Sequence, residues 1–344
     1  MIKRTVKSAL RGVAATIGPH RWRRGPCLLV LTYHRVLPGD HPARETEQPG
    51  MLVSPELLAM HFEVLKRHFR PVHLDEWLSA STIGKPPLGR SVAVTFDDGW
   101  RDNYDYAFPV LKAANMPATI FLVTDLVGSL DQFWPNRLAR LLKAWTPKHH
   151  IRLDPNTQQR AAALDIPLDL PSAHATPDLI DTIISRCKVA DDTAMHALLD
   201  RLEAAMLDEG KPRQPVEERE LLDWNEVRAM DESRLVRFGS HTRRHIRLRD
   251  DTPTGLLEDE ICGSKRTLEE TIGSAVELFC YPNGDLSQRA YRLVKRHYAG
   301  AVSTQSGWNR HGRDPWLIRR IGIHEDVSKT RVAFLGRLSA WPGL

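Results

Sequence analysis

Four polar clusters in this sequence have the residue types for chemistry, and each follows directly on an apolar run. Thr95-Phe96-Asp97-Asp98-Gly99 sets two adjacent carboxylates at the end of the run 91–96. Two carboxylates leaving a buried strand are costly unless a cation or hydrogen bonds stabilise them. Gly239-Ser240-His241-Thr242-Arg243-Arg244-His245 follows the run 235–239. Its two histidines are four residues apart, so one helical turn would place both imidazoles on one side. Two imidazoles and a carboxylate, with positions left for water, describe an open catalytic metal site. Cys280-Tyr281-Pro282-Asn283-Gly284 closes the run 276–280 and reads as a rigid turn that can present backbone N–H groups to a ligand. Tyr33-His34-Arg35 closes the run that begins at Cys27. Taken singly, each has a plainer reading: Asp-Asp-Gly is an ordinary turn, H-x-x-x-H a solvated helix face, Tyr-Pro-Asn-Gly a turn signal. The signal lies in their conjunction, one after another at the ends of separate apolar runs.

The elements that must position these clusters alternate. Strands are expected over 27–33, 91–96, 117–123, 235–239, 276–280 and 300–304, with a further one over 317–323. Helices are expected from Pro55, capped by Ser54, and around 104–114, 253–272 and 286–297. Strands alternating with helices indicate an α/β fold with a parallel sheet or barrel, whose function sits at the strand ends. Residues about 131–222 break the rhythm. They are polar and helical in pattern, and read as a helical insertion, either a lid or plain surface packing, in a catalytic domain spanning 26–344.

The chain has 344 residues, 42% hydrophobic and 26% charged, which excludes disordered and fibrous classes. Its four cysteines form no C-x-x-C pair, against a disulfide scaffold or thiolate zinc knuckle. The net charge of +5 is unevenly spread: residues 1–39 hold eight basic residues and no acid, and the remainder carries 40 basic against 43 acidic, a net of −3. With no nucleic-acid motif and an acidic body, nucleic-acid binding is the weakest reading. Within residues 1–25, Ile2, Val6, Leu10, Val13 and Ile17 share one helical face, with Lys3, Arg4, Lys7 and Arg11 on others, before Gly18-Pro19 ends the pattern. This basic amphipathic segment either packs its stripe on the domain or contacts an anionic membrane through residues 1–24; a cleaved organellar presequence is the lesser alternative. It makes a poor export signal, since Arg11 interrupts the apolar run. The expected location is therefore cytoplasmic, peripheral on the inner membrane face if the helix lies on lipid.

Thr95–Gly99, His241–His245 and Phe279–Gly284 together resemble the first three motifs of the polysaccharide deacetylases, the NodB-homology family of carbohydrate esterases. Leu31-Thr-Tyr-His-Arg-Val36 resembles the opening strand of one branch of that family. The likeness covers roughly residues 28–130 and 223–325. It implies a distorted (β/α) barrel of fewer than eight regular units and a divalent metal, usually Zn2+. By the same resemblance Asp98, His241 and His245 would bind the metal and Asp97 would be the general base. A backbone N–H among Tyr281, Pro282 and Asn283 would hold the oxyanion of an N-acetylated saccharide, either a polymer or a lipid-linked oligosaccharide.

The third motif departs from the family pattern. An arginine often precedes its Pro-x-Gly and orients the base, whereas this chain has Phe279, Cys280 and Tyr281. Arg319 or Arg320 can supply that guanidinium, and Arg320 is preferred. The late Leu-x-His motif that carries the general acid is reduced to Ile323-His324-Glu325, so His34 is preferred as the acid over His324. Trp100, Phe133-Trp134 and Trp308 either stack on sugar rings or pack in the core. The function expected is N-deacetylation of a saccharide in surface-glycan assembly. The alternatives are removal of O-acetyl or formyl groups on the same scaffold, and a non-catalytic carbohydrate-binding relative.

Overall fold

The structure is a computed structural model that describes residues 2–22, 25–145, 153–168, 175–206 and 219–341, with the backbone alone for residues 2–9. The side chains of Ile2, Lys3, Arg4, Val6 and Lys7, all of Arg23 and Arg24, and parts of the stretch 131–222 lie outside the described residues. The chain forms two compact units, one of residues 1–38, 50–129 and 220–344, the other of 39–49 and 130–219.

The first unit is built on the strands β1 (Cys27–Tyr33), β2 (Arg35–Val36), β3 (Leu52–Val53), β4 (Arg70–Pro71), β5 (Arg90–Phe96), β6 (Ala118–Leu122), β7 (Val236–Ser240), β8 (Leu278–Cys280), β9 (Gly300–Val302), β10 (Asn309–Arg310) and β11 (Ile321–Gly322). The main sheet runs β10-β1-β5-β6-β7-β8-β9, parallel from β1 to β9. β10 adds an antiparallel edge on β1, which the sequence does not announce. The expected strand over 317–323 is shorter and does two things. Ile318 bridges Val302 of β9, and β11 pairs in parallel with β1 at Leu31. This segment joins the two edges, so the sheet curls into a distorted (β/α) barrel.

Parallel strands need both faces covered, which is why these runs are almost wholly apolar. Leu28, Val30, Ala93, Phe121, Leu278, Cys280, Val302 and Ile318 form one buried layer. Their neighbours of opposite parity, including Leu29, Leu31, Val92, Val94, Ile120 and Phe279, pack in a second. The Ser54 hydroxyl caps helix Pro55–His68 by accepting the Leu57 N–H at 3.3 Å. Two of the expected helices are interrupted. Phe108–Ala114 is preceded by a π-helical turn at Asn103–Ala107, and 253–272 contains another at Asp259–Gly263. Such turns occur mostly beside functional sites, and both carry a residue that braces the site.

Helix Ile2–Ile17 packs on helix Arg331–Leu338 through small residues. Ala14 and Ala15 are buried, and a Cβ on Gly336 would lie 3.1 Å from the Arg11 carbonyl oxygen. Leu10, Val13 and Ile17 point to solvent, so the alternative in which this stripe covers the core is overturned for its described part. The sugar-stacking reading of Trp100, Trp134 and Trp308 is overturned too, because all three are buried. The second unit gathers helices Trp134–Ala144, Pro155–Ala163, Pro177–Cys187 and Asp192–Met206 around Leu138, Leu142, Ile184, Leu198 and Leu202.

The barrel leaves no room at Gly239 of β7, where a Cβ would sit 2.6 Å from the Phe121 ring and 3.0 Å from the Leu278 carbonyl oxygen. Gly239→Ala is expected to cost about 1–3 kcal/mol through overpacking, read as a lower urea midpoint at unchanged slope.

Candidate active site

β5 ends in Asp97-Asp98-Gly99, and the chain turns there through left-handed backbone at Asp98 (φ 77°) and Gly99 (φ 80°). A side chain at Gly99 would be strained by its positive φ, and its Cβ would push on Leu122 Cδ2 at 2.6 Å. The turn sends the two carboxylates to different partners. Asp97 meets Arg320 in a two-pronged ion pair, with Nη1 to Oδ1 at 2.6 Å and Nη2 to Oδ2 at 2.7 Å. Arg320 also donates to Thr32 Oγ1 at 3.0 Å, Thr95 Oγ1 at 3.2 Å, the Ser303 carbonyl oxygen at 3.2 Å and Cys280 Sγ at 3.3 Å. A planar fork matching a carboxylate fixes position as well as charge. Burial alone would push the Asp97 carboxyl up, but the guanidinium outweighs it and holds the group below the ordinary carboxylate range.

Asp98 faces the two histidines. Its Oδ1 lies 3.5 Å from His241 Nε2 and 3.7 Å from His245 Nε2. One donor atom from each of the three lies within 4.8 Å of the others. The expected helical turn is absent. His241 to His245 is an irregular loop, with left-handed backbone at Thr242 (φ 67°) and His245 (φ 61°), closed by the His245 N–H on Thr242 Oγ1 at 2.9 Å. Glu260, fully buried in the second π turn, accepts the N–H groups of Arg243 and Arg244 at 2.9 Å each and so clamps the loop. His241 Nδ1 bonds the Cys280 carbonyl oxygen at 2.9 Å, and the Trp100 indole N–H donates to Asp98 Oδ2 at 3.0 Å. These bonds leave Nε2 and Oδ1 as the atoms that converge, the outer support a metal ligand needs. Burial lowers His245 to about 4, so its imidazole is neutral at pH 7, the form that binds a metal. This donor set fits a divalent cation. Asp97, His241 and Cys280 also converge, but Arg320 already occupies that carboxylate, so the first set is the better cation site.

His34 stands at the end of β1, with Nε2 4.0 Å from Asp97 Oδ2 and its imidazole partly exposed. Its backbone is held from the first π turn, where Asn103 Nδ2 donates to the His34 carbonyl oxygen at 2.8 Å. Next to it, Arg35 donates to buried Asp102 at 2.9 Å and lies 4.1 Å over the Trp100 ring. His324 follows β11, whose pairing with Thr32 at Gly322 aims it at the same rim, and it is partly buried. Burial lowers its pKa, opposed by the carboxylate of Asp326.

The turn after β8 corrects one expectation. The Tyr281 side chain packs in the outer layer against Phe279 at 5.2 Å, and its N–H donates to the Val302 carbonyl oxygen at 3.4 Å. Pro282 has no N–H, and that of Gly284 is used on the Tyr281 carbonyl oxygen. Of the three residues expected to offer an N–H there, this leaves Asn283, a left-handed residue (φ 55°), as the candidate donor. Sequence reasoning missed Trp100 as a brace of Asp98, and also Asp102, Asn103 and Glu260. The one signal for the first three was their place within five residues of Asp98.

Removing Arg320 would strand the buried Asp97 charge. Arg320→Leu is expected to cost about 3–5 kcal/mol in urea unfolding at pH 7, with part regained when Asp97→Asn is added. Asp97 has a lowered folded pKa, so the pair's stabilisation is present above about pH 4 and lost as the pH falls below that.

The chain matches the sequence profile described as polysaccharide deacetylase over residues 84–152 and 184–301. It is 36% identical over 112 residues to the poly-β-1,6-N-acetyl-D-glucosamine N-deacetylase of Staphylococcus epidermidis, a stretch covering 30% of this chain and 38% of that enzyme. It is 49% identical over 47 residues to the Bacillus subtilis protein YxkH, covering 14% of this chain and 17% of that one. The matched stretches thus span well under half of these relatives. The fold is similar to that of the Streptococcus pyogenes deacetylase PplD, with a TM-score of 0.56 at 17% identity over 88% of this chain and 95% of that one. It is also similar to IcaB from Ammonifex degensii, with a TM-score of 0.55 at 18% identity over 91% and 98%. With the motif residues gathered at one end of a barrel of that type, and the profile spanning more than half of its length, this chain belongs to the polysaccharide deacetylase family.

Proposed function

We propose that this protein is a metal-dependent deacetylase that removes N-acetyl groups from a saccharide chain of the poly-N-acetylglucosamine kind. The observation that carries the reading is the Arg320-held Asp97 carboxylate beside the Asp98–His241–His245 donor set. An ionised base next to a cation site is the apparatus that amide hydrolysis by water requires. The relatives' name for their substrate supports the saccharide class.

Asp98, His241 and His245 would hold the cation, with zinc the best match to two imidazoles and a carboxylate. Such an ion acidifies water and polarises an acyl carbonyl. Asp97 takes the proton from the attacking water, and Arg320 keeps both carboxylate oxygens ionised and aimed. The Asn283 N–H donates to the carbonyl oxygen as it gains charge. His34, 4.0 Å from Asp97 and open to solvent on one side, delivers a proton to the departing sugar nitrogen. The C–N bond breaks, giving acetate and a free amine.

Asp97→Asn should keep its bound metal and lose about 10²–10⁴-fold in turnover on N-acetylglucosamine oligomers, followed as paired release of acetate and amine. Unchanged turnover would remove Asp97 as the base, and acetate without new amine would turn the reading to ester hydrolysis. Trp100→Phe takes the indole N–H from Asp98 Oδ2 and keeps an aromatic ring, though a smaller one, under Arg35. It is expected to weaken zinc binding by about 10–100-fold in a competition titration with a chromophoric chelator.

A further inference from the structure

Helix Ile2–Ile17 has two apolar faces, and the deacetylase reading uses neither. The small one, Ala14 and Ala15, is buried on helix Arg331–Leu338. Holding that face turns the larger stripe outward: Leu10 and Val13 are each 47% exposed and Ile17 is 56% exposed. Trp22, in the helical turn that follows, is 57% exposed, and its indole N–H bonds the Ile17 carbonyl oxygen at 2.9 Å, which fixes the ring beside the end of the stripe. Single exposed apolar residues are normal on a protein surface, but large ones grouped along one helix face mark an interaction surface.

The charge around the stripe says what kind of surface it meets. Arg21 is exposed beside Trp22. Lys3 and Lys7 precede Leu10 by seven and three residues, the helical spacing of neighbours. Residues 1–24 contain seven bases and no acid, in a chain whose remainder is net acidic. No described helix is long and apolar enough to cross a membrane. An in-plane helix with a large apolar face, a cationic border and an indole at one end matches the boundary between anionic headgroups and acyl chains.

We infer that residues 2–22 are a docking surface for an anionic lipid bilayer. The helix lies in the plane of the headgroups, with Leu10, Val13, Ile17 and Trp22 toward the acyl chains and the basic residues on lipid phosphates. This inference is independent of the deacetylase reading, because it needs no residue of the active site.

The test is co-sedimentation of the whole chain with vesicles of phosphatidylcholine, alone or mixed with phosphatidylglycerol. Binding to the anionic vesicles should exceed binding to the neutral ones by at least about tenfold. The triple variant Leu10→Asp, Val13→Asp, Ile17→Asp should lose that binding while keeping the parent's circular dichroism and thermal midpoint. Equal pelleting of variant and parent, or of the protein with both vesicles, would overturn the proposal. So would unfolding of the triple variant, which would mean that the stripe is core. The double variant Lys7→Glu, Arg21→Glu leaves the stripe alone and should still lower anionic binding by at least about fivefold; no loss would overturn the charge argument. Light scattering covers the remaining occupant, since a dimer that the triple variant dissolves would assign the stripe to a second copy and overturn the lipid assignment.

Discussion

Two ionised carboxylates side by side at the mouth of an apolar barrel repel each other and resist burial, and this site is arranged around keeping both charged. The left-handed turn at Asp98 and Gly99 separates them. Asp97 goes to a guanidinium that neutralises it by two parallel hydrogen bonds, and Asp98 goes to two imidazoles and an indole N–H. A non-glycine residue in that backbone region is a strained choice that persists where its surroundings demand it. Here the demand is plain: continuing β5 in extended geometry would send Asp98 opposite Asp97 and away from the histidines.

The guanidinium arrives from 223 residues further along the chain, on the segment that joins the two edges of the sheet. Closure of the barrel and completion of the Asp97–Arg320 pair are therefore one structural event. Until Ile318 has bridged Val302 and Ile321 has paired with Leu31, Asp97 lacks the Arg320 guanidinium. The same segment leads on to His324 and to Ser328, whose carbonyl oxygen bonds His61, itself bonded to Tyr33 at the end of β1. One short stretch of chain thus ties down both Asp97 and the end of β1 that carries His34.

What was legible in the sequence follows from this physics. Buried parallel strands must be apolar throughout, so their positions and polar endings were plain, and the motif residues come together at those endings. Arg319 and Arg320 both lie on the expected strand 317–323, so the sequence holds no physical ground for choosing between them, and it is the structure that puts Arg320 on Asp97. The histidine loop was not legible. Helical spacing was the obvious way to pair His241 with His245, whereas the structure uses left-handed backbone at Thr242 and His245, where no glycine advertises it, and a clamp from Glu260, whose role no local pattern marks. Strand alternation does predict where the Tyr281 side chain goes: it shares parity with Phe279 and packs in the same layer, leaving Cys280 in the other, whereas the bond from its N–H to Val302 was not legible. The N-terminal stripe was misleading for a different reason. Periodicity finds an apolar face but cannot tell which face a neighbouring helix will take, and close packing favoured the alanines over the larger residues.

Cys280 occupies a position near which the family pattern often carries arginine, and the packing gives a reason for the exchange. Its Sγ lies 3.3 Å from Arg320 Nη2 and 3.6 Å from Asp97 Oδ2, so the thiol fills the space beside the ion pair without adding charge. A second guanidinium there would have to share a carboxylate that is already bonded on both oxygens, in a layer where even a methyl group at Gly239 finds no room. Two buried cations for one anion would leave a net charge in a low-dielectric interior, the costliest of the available arrangements. With Arg320 on Asp97, a small uncharged side chain suits position 280, and Cys280 supplies one while its carbonyl oxygen holds His241 in place.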